Sequence, residues 1–124
     1  MANPNLLAAT TASGTTTYLT PGNTTANTLL SNAASSGLVY KINSIVAANV
    51  NGTAAVDVTV TINSAAAGGG TAYPIVSTVS VPADASLIVT DKTTMFYLME
   101  DKSIVVTSGT SSGITYTISY EAIS

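Results

Sequence analysis

From Leu38 onward apolar and small polar residues alternate with a period of two, and the alternation breaks at Gly, Pro, Asn or Asp roughly every ten residues. Residues 54–62 show it most plainly. Val56, Val58, Val60 and Ile62 fall on one face, and Asp57, Thr59 and Thr61 on the other. In a strand, successive side chains point to opposite faces, so this pattern makes one dry face and one wet face. Similar signals place strands over residues 38–50, 73–81, 86–90, 94–99, 103–108 and 114–123. In the first of these, Leu38, Tyr40, Ile42, Val46, Ala48 and Val50 are expected to share the buried face. Asn51-Gly52 reads as a type I′ hairpin turn, residues 109–113 as the loop of a final hairpin, and residues 63–71 as a flexible loop. No helical period competes with these signals. The expected fold is all-β, an antiparallel β-sandwich of jelly-roll or immunoglobulin-like type with about seven to nine short strands.

The chain divides by texture. Residues 1–37 contain no charged side chain, yet carry Leu6, Leu7, Tyr18, Leu19, Leu29 and Leu30 at intervals. A disordered tail would be charged and poor in apolar groups. This segment reads instead as an extended N-terminal arm with strands near residues 15–20 and 25–30, separated by a Pro21-Gly22-Asn23 turn. Residues 38–124 form the β-sandwich domain. The arm either lies on a neighbouring subunit or pairs with its own domain. In the first case, deleting residues 1–20 leaves the sandwich folded and abolishes assembly.

Composition removes most chemistry. Thr (21), Ser (15) and Ala (18) dominate, while His, Cys, Trp and Arg are absent. Without His there is no imidazole base or Ser-His-Asp triad, and without Cys and His no ordinary zinc, haem or iron–sulfur site. Three Lys against six acids cannot build the positive surface that nucleic acid requires. No apolar run approaches membrane-spanning length, and the Met1-Ala-Asn-Pro-Asn start has no secretion-signal character. No catalytic residue, cofactor or metal ligand is expected, and no nucleic-acid or membrane partner. A weak calcium site at an assembly interface and a glycan site on tyrosine are the only ligand sites left open.

Several motifs dissolve in this context. Gly109-Thr110-Ser111-Ser112-Gly113 has the spacing of a hydrolase nucleophile elbow but sits between two strands in a chain without His. Gly68-Gly69-Gly70 lacks the Lys-Ser/Thr that completes a phosphate loop. No serine is placed beside Lys41, Lys92 or Lys102 in a way that suggests a Ser–Lys dyad. Tyr40, Tyr73, Tyr116 and Tyr120 lie on apolar faces and are expected in the core. The stretch Met95-Phe96-Tyr97-Leu98-Met99 is apolar on both faces, as in a central strand or a subunit contact. With so few charges, the strands at the sheet edges lack the usual guards and should be covered by other subunits.

The run from Leu38 through Val60, the segment Val79-Ser-Val-Pro-Ala-Asp-Ala-Ser-Leu, the Leu98-Met-Glu-Asp-Lys-Ser-Ile turn and the closing Ser119-Tyr-Glu-Ala-Ile-Ser together resemble small virion structural proteins of tailed bacteriophages, especially cyanophages. The resemblance implies a non-enzymatic particle component, with capsid decoration (cement) as the first expectation. It also implies major capsid protein or other virion proteins as partners, a homo-oligomer with a trimer favoured, and a virion location on the capsid surface after synthesis in the host cytoplasm. A neck, tail or baseplate part, or a receptor- or glycan-binding head, is the alternative. Contacts are expected from Leu6, Leu7, Tyr18 and Leu19 in the arm and from Phe96 and Tyr97 in the two-faced strand.

Overall fold

The alternation resolves into nine strands in a computed structural model that describes residues 4–124. After a single 3-10 turn at Leu6–Ala8 come β1 (Ala12–Leu19), β2 (Asn27–Asn32), β3 (Val39–Asn49), β4 (Val56–Asn63) and β5 (Ala72–Val81). Then follow β6 (Ser86–Thr90), β7 (Phe96–Leu98), β8 (Lys102–Ser108) and β9 (Ile114–Ile123). Two antiparallel sheets form. The first runs β1-β9-β3-β6 with β7 also paired to β3, and the second runs β2-β8-β4-β5.

The pairing is nested. β1 lies beside β9, β2 beside β8, β3 beside β6 and β7, and β4 beside β5, so the chain resembles one long hairpin rolled into two layers. Sequence neighbours almost always occupy opposite sheets. Two expected hairpins are therefore crossovers. Asn51-Gly52 carries the chain from β3 in one sheet to β4 in the other, and neither residue has a positive φ. β8 and β9 likewise belong to different sheets, and residues 109–113 arch between them. Alternation specifies which face of a strand is dry; both strands of a crossover satisfy it as well as both strands of a hairpin do.

The core is what the two inner faces put between them. Ile42, Ile45, Ala47, Leu98, Ile114, Tyr116 and Ile118 of the first sheet meet Val56, Val58, Val60, Val81, Ile104 and Val106 of the second. The expected single parity of β3 fails halfway along. A bulge between Ile42 and Ser44 inserts one residue opposite β9, so that Ile45, Ala47 and Asn49 turn inward and Val46, Ala48 and Val50 turn outward.

Three asparagines, each the last residue of its strand, are buried and hold the turns that follow. The Asn32 amide donates to the Leu38 and Leu98 carbonyls at 2.9 and 3.1 Å. Asn49 donates to Ala54 and Val81 at 3.0 and 2.9 Å while its oxygen accepts from the Asn51 N–H at 2.7 Å. Asn63 donates to Gly68 at 3.0 Å and accepts from the Thr61 hydroxyl at 2.8 Å. A short amide can satisfy a turn's backbone where no strand reaches it, and each bond avoids the cost of a buried unpaired group.

Residues 63–71, expected to be loose, lie flat on the outer face of the second sheet. Ala67 N–H donates to Ser31 Oγ at 2.8 Å and Gly68 N–H to Ser103 Oγ at 2.9 Å, while Ser103 Oγ donates to the Ala65 carbonyl at 2.8 Å. This lid buries Ser103 and Val105 although both point away from the core. Gly68 has φ +76, and a Cβ there would come within 2.9 Å of Thr28 Oγ1, so the close approach depends on glycine.

Candidate assembly surface

Charge is distributed by strand position. Lys41, Asp57, Lys102 and Glu121 lie on β3, β4, β8 and β9, which are interior to their sheets. Asp84, Asp91, Lys92, Glu100 and Asp101 lie in connections. The edge strands β1, β2, β5, β6 and β7 carry none. Among the described residues Lys41 and Glu121 form an ion pair at 3.9 Å, half-exposed on neighbouring strands and worth about 0–1 kcal/mol.

Apolar surface gathers at one end. The segment Met95–Met99, apolar on both faces, owes its placement to the turn before it. Asp91 accepts from Thr93 N–H at 2.9 Å and from its hydroxyl at 2.6 Å, and Thr94 Oγ1 accepts from Asp91 N–H at 3.2 Å. This box folds Lys92–Thr94 into a 3-10 turn, which interrupts the edge between β6 and β7. The Thr93 hydroxyl, then the Thr93 N–H, hold the Asp91 carboxyl below the usual carboxylate range. β7 then resumes pairing with Phe96 opposite Ile42, Tyr97 opposite Lys41 and Leu98 opposite Tyr40. Phe96 and Leu98 point inward; Tyr97 points out.

Two clefts flank Tyr97. One, of about 230 Å³, is lined by Pro4, Leu6, Val39, Tyr97 and Met99. The other, of about 240 Å³, opens between the sheets and includes Ile62, Tyr73, Phe96, Tyr97, Met99 and Lys102. Tyr97 and Met99 belong to both, so the clefts form one apolar surface at the β5/β7 end of the sandwich. Tyr73, expected in the core, is 60% exposed at its mouth, near the start of β5.

The other predicted contact residues separate by environment. Leu6 and Tyr97 meet across the smaller cleft, and Leu7 is 99% exposed beside it. Tyr18 is 75% exposed on β1, far along the sheet order from β7. Leu19 and Phe96 pack against the core from inside. Met99 belongs to the two-faced stretch singled out in the sequence, whereas Tyr73 and Val39 carry no sequence signal for this surface. Only the end-to-end pairing of β3 with β7 could have brought them together.

The remaining tyrosines are structural. Tyr116 is fully buried and its hydroxyl donates to the Thr107 carbonyl at 2.8 Å; burial pushes its phenol above the usual value. The Tyr40 and Tyr120 rings pack with centroids 5.0 Å apart and planes tilted by 43°, and the Tyr40 phenol is also raised, first by burial and then by Tyr120. Among the described residues no group of His, Cys, Asp and Glu is arranged to hold a metal ion. No helix among the described residues is long and apolar enough to cross a membrane.

The sequence matches no protein-family model and no curated protein. Solved structures do share the fold. A chain from Bacillus endospore appendages, described as disulfide-linked pili, is 18% identical over 99% of this chain and 95% of its own, with a TM-score of 0.51. A chain from the acid-stable capsid of Helicobacter pylori bacteriophage KHP30 is 7% identical over 94% of this chain and 90% of its own, with a TM-score of 0.53. Both likenesses span nearly the whole of each chain. At these identities they establish a shared two-sheet architecture.

Proposed function

We propose that this chain is a non-enzymatic structural subunit of a tailed-phage virion, placed on the capsid as a decoration protein. Its rolled, nested pairing is read as a jelly roll, the sandwich that recurs in viral capsid domains. The observation that carries the reading is the charge map: all five edge strands are neutral, while every ion sits on an interior strand or in a connection. A free-standing sandwich blunts its edges with charge, proline, bulges or short strands. No edge here uses charge, and β1 carries none of the other devices either, as suits a subunit whose open edge and apolar end meet neighbours. The end-to-end likeness to a chain of a phage capsid supports the same reading.

Attachment would rest on shape, main-chain pairing and the Tyr97–Met99 surface rather than on salt bridges. It would therefore survive molar salt, which screens exposed charges at a few ångströms. Disulfides would play no part in such an assembly, since the chain has no cysteine. A second reading, a subunit of a surface fibre, is favoured by the likeness to the endospore appendage chain.

Quantitative mass spectrometry and antibody labelling of purified particles test the placement. Hundreds of copies per particle, retained in molar salt, are the expected result. A dozen or fewer copies would move the protein to the neck or tail. Labelled fibres free of particles would replace the virion reading with the second one.

A further inference from the structure

The free edge of β1 is complementary to itself, and we infer that two copies of this chain join antiparallel along it, extending the first sheet across a two-fold axis. The inference concerns one surface and stands whether or not the subunit sits on a capsid.

The four edges are unequal. β5 contains Pro74, which cannot donate, and is bulged at Thr78. The β6/β7 edge consists of two short pieces split by the 3-10 turn at Lys92–Thr94. β2 is bulged between Thr28 and Leu30. β1 has eight residues, an unbroken register against β9, no proline and no charge. Among the described residues no strand pairs with its other side. If copies of this chain pair by their edges, β1 is the only long and unobstructed one, so it must meet itself. Such a contact is isologous and closes at two.

The register can be read from the backbone. Thr11 and Ser124 exchange N–H to carbonyl bonds at 3.2 and 3.0 Å. In an antiparallel ladder the bonded pairs alternate, so Ser13, Thr15, Thr17 and Leu19 direct their N–H and carbonyl groups to β9. Ala12, Gly14, Thr16 and Tyr18 direct theirs outward. Thr16 Oγ1 also meets Ser119 Oγ across this ladder at 2.9 Å. One antiparallel register engages all four outward-facing residues of both copies. It sets Gly14 opposite Thr16 of the second copy and Ala12 opposite Tyr18 of the second copy, with Thr15 on the axis. About eight backbone hydrogen bonds result.

Size matches as well as hydrogen bonding. The four outward-facing residues run small, small, medium, large from Ala12 to Tyr18, and inversion places each large residue against a small one. This gives Gly14 a role. Its φ is not positive and a Cβ would meet nothing within 4 Å, so nothing inside one chain requires glycine there. Facing Thr16 of a second copy, the missing side chain leaves room for the threonine. Tyr18, 75% exposed in the single chain, would lie over Ala12 of the second copy.

The full-length chain tests this directly. Sedimentation should give twice 12.4 kDa for the wild type. Gly14→Pro should give the single mass with unchanged circular dichroism, because the N–H it deletes faces away from β9. Thr16→Lys, which places a charge on the edge, should also give the single mass if the proline variant does not fold. The chain has no cysteine, so Thr15→Cys reports the register. Non-bonded antiparallel pairs stand about 4.5 Å apart at Cα, within disulfide reach, so mild oxidation should cross-link Thr15→Cys and leave Ser13→Cys uncross-linked. A monomeric wild type, a dimer that survives Gly14→Pro or Thr16→Lys, or a dimer that cross-links through Ser13→Cys instead of Thr15→Cys would each overturn the inference.

Discussion

The two long edges of this sandwich, β1 and β5, are both uncharged but solve different problems. β5 is protected by geometry. Pro74 withdraws a donor, and Thr78, forced to φ 51, bends the strand where two of its residues face one residue of β4. A threonine in the left-handed region is strained, so this protection has a conformational cost. β1 carries neither device and runs straight for eight residues. The comparison teaches that the absence of charge is not indifference to edges. One edge is closed by backbone shape and the other is left open in a form that fits a copy of itself.

The comparison can be broken most severely by removing residues 1–20. β1 forms a full ladder with β9, and Leu19 packs on the core, so the first residues are part of the sandwich as well as a surface of it. The truncated chain should lose its cooperative thermal transition, followed by circular dichroism. A sharp transition at the wild-type temperature would show that β1 is a detachable arm. Next in size is Asn49→Ala. This strips the amide that joins β3 to the end of β5 and leaves the Ala54 and Val81 carbonyls and the Asn51 N–H without that partner. A loss of about 2–4 kcal/mol in urea unfolding is expected. A change under half a kilocalorie (about 0.5 kcal/mol) would mean that water replaces the amide at no cost.

Thr78→Gly sharpens the account of β5. Relieving the left-handed threonine should stabilise the chain by about 1 kcal/mol, and a destabilised variant would show that the Thr78 backbone is not strained. Pro74→Thr should change stability least, by less than about 0.5 kcal/mol for an exposed edge position. Its effect should appear in light scattering as association beyond the dimer, since β5 would regain a donor. If association does not change, the bulge alone guards that edge.

Much of the fold was legible because β-branched residues alternate so regularly. The strands and the two-faced segment around Phe96 follow from that pattern. Sheet assignment did not follow, and the two misread hairpins share one cause: alternation is blind to which sheet a strand joins. The β3 parity failed at a bulge with no proline or glycine to announce it. Asn32, Asn49 and Asn63 were invisible for a different reason. Asparagine at the end of a strand reads as ordinary turn chemistry, and only the fold shows that these amides are buried clamps. At the apolar end, Leu6 and Tyr97 were expected to contact other subunits; that the two line one cleft within the chain depends on where β7 rejoins β3. The surface formed with Met99 and Tyr73 is a product of topology.

Nesting also orders events in time. Because the opening strand pairs with the closing one, the first sheet cannot be completed until Ile123 has left the ribosome. The innermost pair, β4 with β5, needs only a short loop to close and can form while synthesis continues. The nascent chain would thus grow outward from its middle, and the edge on β1 would take shape last, after β9 arrives to support it.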